Sequence, residues 1–198
     1  MCPLNLVVED SLSESICRRL LASSSLQVGH VYGKEGVGYI KTRLRAFNNA
    51  AKGSRYLIVA DLDRFGCVAE LWQKWAPGVQ RHPNLLFRVA VCEIESWLLA
   101  DTSNLCRFFG LQQRQQIYNS DQVNDPKREL LELAIRSPKK LLRDAVTYRD
   151  QHGTLLQGPD YNGTLHRFVQ NQWNLKNAAR ASDSLTRALN ALRRFSPA

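Results

Sequence analysis

The chain has 198 residues, 44% hydrophobic and 23% charged, with a formal net charge of +9, values ordinary for one folded domain with an extension. Its longest apolar runs, such as 4–8 and 56–60, are far too short to span a bilayer, and no basic segment leads into a signal-length apolar stretch at the N-terminus, so nothing points to a membrane or to secretion. The five cysteines are odd in number, widely spaced and without a CxxC pair, which fits reduced thiols of a cytoplasmic protein and excludes a disulfide framework or zinc knuckle.

In chain order, residues 4–8 form a short buried-strand pattern ending at Glu9. Ser11 to Ser13 can cap a helix over 14–22, with Ile16, Leu20 and Leu21 at helical spacing. A second strand is predicted over 28–32, then a glycine-rich break (Gly33, Gly36, Gly38) and a basic helix over 39–51. The break lacks GxGxxG spacing and reads as a flexible loop. Residues 56–60 are the strongest strand and end at Asp61; a helix over 68–75 stops at Pro77-Gly78. A fourth strand over 85–91 ends at Cys92-Glu93 and leads into an apolar helix over 96–109, closed by Gly110. Strand and helix in alternation, with short connections, predict an α/β fold: a mostly parallel four-stranded sheet flanked by helices over 1–110. Ligands of such sheets sit at the carboxyl ends of the strands.

Beyond Gly110 the pattern changes. The stretches 112–116 and 120–126 are polar and turn-rich, and helices are predicted over 128–136, 138–148 and 164–194, with Gly153, Gly158, Pro159 and Gly163 between the last two. Residues 111–198 thus read as a helical C-terminal extension. From Lys127 to the end, 13 Lys and Arg face 6 Asp and Glu, so most of the basic excess lies there. A positive surface of this kind attracts polyanions, nucleic acid above all; the plainer reading is a solvated helical face.

Three acidic features stand at strand ends. In Asp61-Leu62-Asp63, residues i and i+2 of an extended segment point to the same side, and two carboxylates so placed suit a hard divalent cation. Glu9 holds the equivalent place after the first strand, with Asp10, Ser11 and Ser13 able to cap the helix that follows. Glu93 and Glu95 share a side if the chain is still extended there; if the helix has begun they diverge by roughly 200°, and only one, Glu93 by preference, reaches the site. Both also suit a helix N-terminus, and Asp101 can cap the next turn. Carboxylates at three strand ends together with a basic surface suggest two-metal phosphoryl chemistry, with Lys139 and Lys140 able to neutralise phosphate charge. The four histidines share no ligand spacing, there is no P-loop lysine, and the four tryptophans sit at core spacing.

The segments VVEDSLSE and LIVADLD resemble the glutamate and DxD motifs of Toprim domains, found in topoisomerases, primases and OLD-family nucleases. VAVCEIESWLLAD resembles a motif of small stand-alone Toprim-like proteins often linked to phage defence or to ATPase partners; SPKKLL and GPDYNGTLHRFVQNQW resemble later segments of that family. The chain departs from the pattern in having Asp10 for a glycine, Glu14 one position late, and Cys92 where histidine is common. The resemblance implies Glu9 as acid/base or metal ligand, Asp61 and Asp63 as metal ligands, and Glu93 and Glu95 as a second metal site. Lys139 or Lys140 would contact phosphate, and Arg136 and Arg143 would join them on nucleic acid. The expectation is a Mg²⁺-dependent nuclease, with Mn²⁺ able to substitute, acting on DNA more than RNA beside a possible ATPase partner. The alternatives are a non-catalytic nucleic-acid-binding or regulatory subunit, and a toxin-like effector silenced by a partner.

Overall fold

A computed structural model describes residues 3–112 and 116–195, so the centre of the polar stretch 112–116 lies outside the described residues. By internal contacts the chain divides into two compact units, Met1–Val91 with Arg187–Ala198, and Cys92–Thr186.

The first unit is built on four parallel strands: β1 (Leu4–Val8), β2 (Val28–Gly33), β3 (Arg55–Asp61) and β4 (Leu85–Ala90). Their order is β2-β1-β3-β4. β1 and β3 are central and mainly apolar, and every residue of β1 and the interior of β3 are buried, as in strands covered on both faces. β4, at the edge, alternates between buried and half-buried residues over its first four positions and ends on two buried ones.

The connecting helices are α1 (Ser11–Leu21), α2 (Val37–Ala50) and α3 (Val68–Trp75). One face of the sheet packs Val7, Ile58 and Phe87 against Ile40 and Leu44 of α2 and Leu71 and Trp72 of α3. The connection after β1 leads to β2 on one side, whereas those after β2 and β3 lead the opposite way. Because βαβ crossovers are right-handed, this reversal sets α1 on the face opposite α2 and α3. It also makes the gap between β1 and β3 the topological switch point of the sheet.

Two close approaches fix the β1–β2 pairing. Asn5, buried within β1, accepts the His30 N–H at 2.9 Å, where the register shifts between Leu4 and Leu6. At the other end Gly33 has φ +100, and a Cβ there would strike the Val8 carbonyl oxygen. That carbonyl accepts the Lys34 N–H at 3.0 Å.

The second unit is mainly helical: α4 (Glu95–Leu99), α5 (Thr102–Phe109), a short 3-10 turn (Ser120–Gln122), α6 (Pro126–Ala134), α7 (Lys140–Val146), α8 (Tyr161–Asn171), α9 (Leu175–Ala181) and the start of α10 (Asp183–Phe195). It also contains an antiparallel hairpin, β5 (Thr147–Arg149) with β6 (Leu155–Gln157), which the sequence reading does not anticipate. Trp97, Phe109, Phe168 and Trp173 are buried in this unit. The Trp97 indole donates to Ser184 Oγ at 2.7 Å and that of Trp173 to the Trp97 carbonyl at 3.2 Å.

The single helix predicted over 96–109 is two helices, broken at Asp101, and the one over 164–194 is three. Two of these three breaks meet at Asp101 and Asn174: Asp101 Oδ2 accepts the Asn174 N–H at 2.6 Å, while Asn174 Oδ1 caps α9 through Lys176 and Asn177. The break before α10 is held by Asp121, whose Oδ2 accepts the Ser184 N–H at 2.7 Å. Among the described residues no helix is long and apolar enough to cross a membrane.

Candidate functional site

In the first unit, Glu9 and Asp61 stand at the carboxyl ends of β1 and β3, on either side of the switch point, and Asp63 follows two residues after Asp61. β1 ends at Val8 and β3 at Asp61, and their ladder pairs Val7 with Ile58. Glu9 therefore leaves β1 beside the end of β3, and its Oε1 accepts the Asp61 backbone N–H at 3.1 Å. Both residues are half-buried.

Leu62 stays in the ladder, donating its N–H to the Ala90 carbonyl at 2.9 Å, and its side chain is buried. Asp63 then turns left-handed, at φ 51, and is exposed. The backbone is thus no longer extended at Asp63, which alters the simple i, i+2 expectation for the pair. Lys34 (φ 71) and Cys92 (φ 59) adopt the same conformation just past β2 and β4. Non-glycine residues seldom occupy this region, and the three among the described residues all follow strand ends.

The neighbours of Glu9 have structural tasks. Asp10, rather than the serines, is the N-cap of α1, accepting the Ser13 N–H at 2.7 Å, so the helix starts at Ser11. Glu14 lies between Lys34 Nζ at 2.6 Å and Arg18 Nε at 2.7 Å. Burial works to raise its pKa, but the hydrogen bonds and charges of Lys34 and Arg18 prevail and hold the carboxyl below the ordinary range. The Gly36 N–H donates to the Glu9 carbonyl at 2.9 Å, tying the glycine loop to the end of β1.

Glu93 and Glu95 belong to the second unit. The helix has already begun at Glu95, and the two carboxylates take different hydrogen bonds while sharing the Lys127 ammonium. Glu93 Oε2 accepts the Lys127 N–H at 3.1 Å, at the N-terminus of α6. Glu95 is 3% exposed; its Oε1 accepts from the Tyr161 hydroxyl at 2.8 Å and its Oε2 has no hydrogen-bond partner. Lys127 Nζ stands 3.7 Å from Oε1 of both glutamates. Burial raises the Glu95 pKa, against the opposing pull of Lys127 and Tyr161, and burial together with the neighbouring Glu95 pushes the Tyr161 hydroxyl well up.

The Ser-Pro-Lys segment closes a helix end. Ser137 Oγ donates to the Phe109 carbonyl at 2.6 Å and Lys139 Nζ to the Phe108 carbonyl at 2.7 Å, so both satisfy orphan acceptors of the last turn of α5. Gly110, the left-handed cap at φ 74, leaves room for the Lys139 stem, which a Cβ would meet. Lys140 starts α7 and is exposed, as is Arg136. Arg143 is held by Asp144 at 3.1 Å and donates to the Ser137 carbonyl at 3.4 Å.

Among the described residues, no three or more His, Cys, Asp or Glu side chains are gathered to hold a metal ion. The sequence reading gave no role to Tyr161, although it lies in the GPDYNGTLHRFVQNQW segment, or to Lys127, the partners of Glu95. Comparison with protein-family models, with curated proteins and with solved structures gives no significant match for this chain.

Proposed function

We propose that this chain is a Toprim-like, Mg²⁺-dependent phosphodiesterase acting on nucleic acid, with Glu9 and Asp61 at its working centre. The observation that carries the reading is their position: they flank the switch point of a parallel sheet, where ligands of such folds bind. The donor set is hard carboxylate oxygen, which suits Mg²⁺. That ion is commonly held by one or two carboxylates with water and substrate phosphate, so a preformed cage of three is not required. Asp61 would hold the ion with Glu9 or Asp63, and bound Mg²⁺ supplies charge neutralisation and an acidified water.

The protein's own part is positioning. The bond from the Asp61 N–H fixes the Glu9 carboxylate beside β3, where it can take a proton from the attacking water. Asp63, exposed on a left-handed turn, would help to hold Mg²⁺ and so neutralise phosphate charge. Arg136, Lys139 and Lys140 are exposed; Arg136 and Lys140 would bind the nucleic acid, with DNA preferred to RNA, while Lys139, its amine bonded to the Phe108 carbonyl, and Arg143 brace the scaffold. Mn²⁺ would replace Mg²⁺, and an ATPase partner in phage defence would supply any nucleotide-driven step.

A second reading, a nucleic-acid-binding or regulatory subunit without catalysis, draws on two contacts. Glu9 is engaged by a backbone amide, and Glu93 caps a helix. Mg²⁺-dependent cleavage of single- and double-stranded DNA, compared between the native chain and Asp61→Ala, decides between them. Loss of cleavage in the variant supports the enzyme; cleavage that persists removes Asp61 from the site. Salt-sensitive binding with no cleavage by the native chain favours the binding subunit.

A further inference from the structure

The second unit contains a cavity of about 600 Å³ between α6 and the β5–β6 hairpin. Its wall carries charges of both signs, but they are not equally available. Glu93 accepts the Lys127 N–H at 3.1 Å, Asp125 accepts the Arg128 N–H at 2.9 Å, and Glu132 pairs with Arg128 Nε at 3.3 Å. Each wall carboxylate is therefore already answered by a donor of α6.

The cations retain capacity. Arg128 is 71% exposed along its side chain and is paired through Nε, and Arg149 donates through one terminal nitrogen to the Gly153 carbonyl at 2.7 Å. Each guanidinium keeps most of its fork of N–H groups. His152 stands beside them on the hairpin turn, and Leu131 and Leu155 give the cavity an apolar side. Spare donors, answered carboxylates and an apolar side describe a receptor for an anion attached to an organic group.

We propose that this cavity is a phosphomonoester site, taking the terminal phosphate of a nucleic-acid strand or the phosphate of a mononucleotide. A phosphomonoester dianion matches the two guanidinium forks, the neighbouring sugar and base can lie on Leu131 and Leu155, and the volume suits one nucleotide. The strand-end source rests on the nucleic-acid reading above; the mononucleotide source does not, and neither requires cleavage.

The test uses the full chain carrying Asp61→Ala, in EDTA, so that cleavage plays no part. Fluorescence anisotropy is measured with one labelled single-stranded oligonucleotide bearing a 5′-phosphate, a 3′-phosphate or hydroxyl ends, and calorimetry with AMP and adenosine. A phosphorylated end is expected to bind about tenfold tighter than hydroxyl ends, or AMP than adenosine. Each gap should collapse in Arg149→Gln and in Arg128→Gln, the second of which leaves the hairpin bond intact. Preference for AMP without preference for a strand end identifies the mononucleotide as the source. Equal binding of phosphorylated and unphosphorylated probes, no binding of any probe, or a preference that survives both substitutions overturns the site. Cleavage by the native chain is scored separately, so loss of the phosphodiesterase reading leaves this outcome legible.

Discussion

Glu9 Oε1 accepts the backbone N–H of Asp61 at 3.1 Å, linking residues 52 positions apart across the ends of two neighbouring parallel strands. The contact holds one acid of the candidate centre against the backbone of the other. Glu9→Gln keeps an acceptor for that amide and removes the charge. It is expected to leave stability within about 1 kcal/mol of the native chain and to cut cleavage by about 100-fold or more. Thermal melting and cleavage measured on the same preparation check both statements. Cleavage within threefold or so of native would remove Glu9 from the chemistry.

Gly33→Ala would place a Cβ against the Val8 carbonyl at φ +100. The backbone conformation alone costs on the order of 1–3 kcal/mol, and the collision adds to it. Urea denaturation should show a lower midpoint for this variant and little change for Gly53→Ala, where added bulk meets open space.

Lys139 and Lys140 are adjacent but are expected to behave differently. Lys139→Met loses the bond to the Phe108 carbonyl and a favourable charge at the end of α5, a destabilisation of about 1 kcal/mol. Lys140→Met should leave the melting temperature unchanged and lower nucleic-acid affinity, reducing the slope of log K against log salt by about 1. The reverse pattern would return Lys139 to the phosphate-binding role.

Glu95 gives a pH dependence with a definite sign. Burial raises its folded pKa above the ordinary carboxylate value, so the fold binds this proton more tightly than the unfolded chain does. Its contribution to stability is present below the unfolded pKa and is lost as the pH rises through the raised folded value. Glu95→Gln retains an acceptor for Tyr161 and does not ionise. Its stability relative to the native chain should therefore increase as the pH is raised from below the ordinary carboxylate pKa to neutrality, as read from urea midpoints at the two extremes. A constant difference would show that folding leaves the Glu95 pKa unshifted.

Much of the first unit was legible in the sequence because its signals are local. Each central strand is an apolar run closed by an acidic residue, and the glycine breaks at 33–38 separate periodic segments, so four strands and three helices could be placed within a few residues. The all-parallel pairing agrees with the alternation of elements. The carboxylates at strand ends were visible for the same reason, whereas their partners were not.

Strand order, and with it the switch point between β1 and β3, arises from hydrogen bonds between residues tens of positions apart. The hairpin went unseen because its three-residue strands carry no periodic signal and exist only through their pairing, including the bond from Thr147 Oγ1 to the Leu156 carbonyl at 3.0 Å. The helix breaks near Asn174 and Ser182 were hidden in an otherwise helical pattern, since the Asp101 and Asp121 carboxylates that hold them come from elsewhere in the fold. The sequence by itself therefore determined which segments are strands and helices in the sheet unit and that acids end them, through local apolar patterning. Tertiary structure alone decided that Glu9 meets Asp61, that Lys139 closes α5, and that Glu95 is buried against Tyr161, because each depends on a donor and an acceptor brought together by the fold.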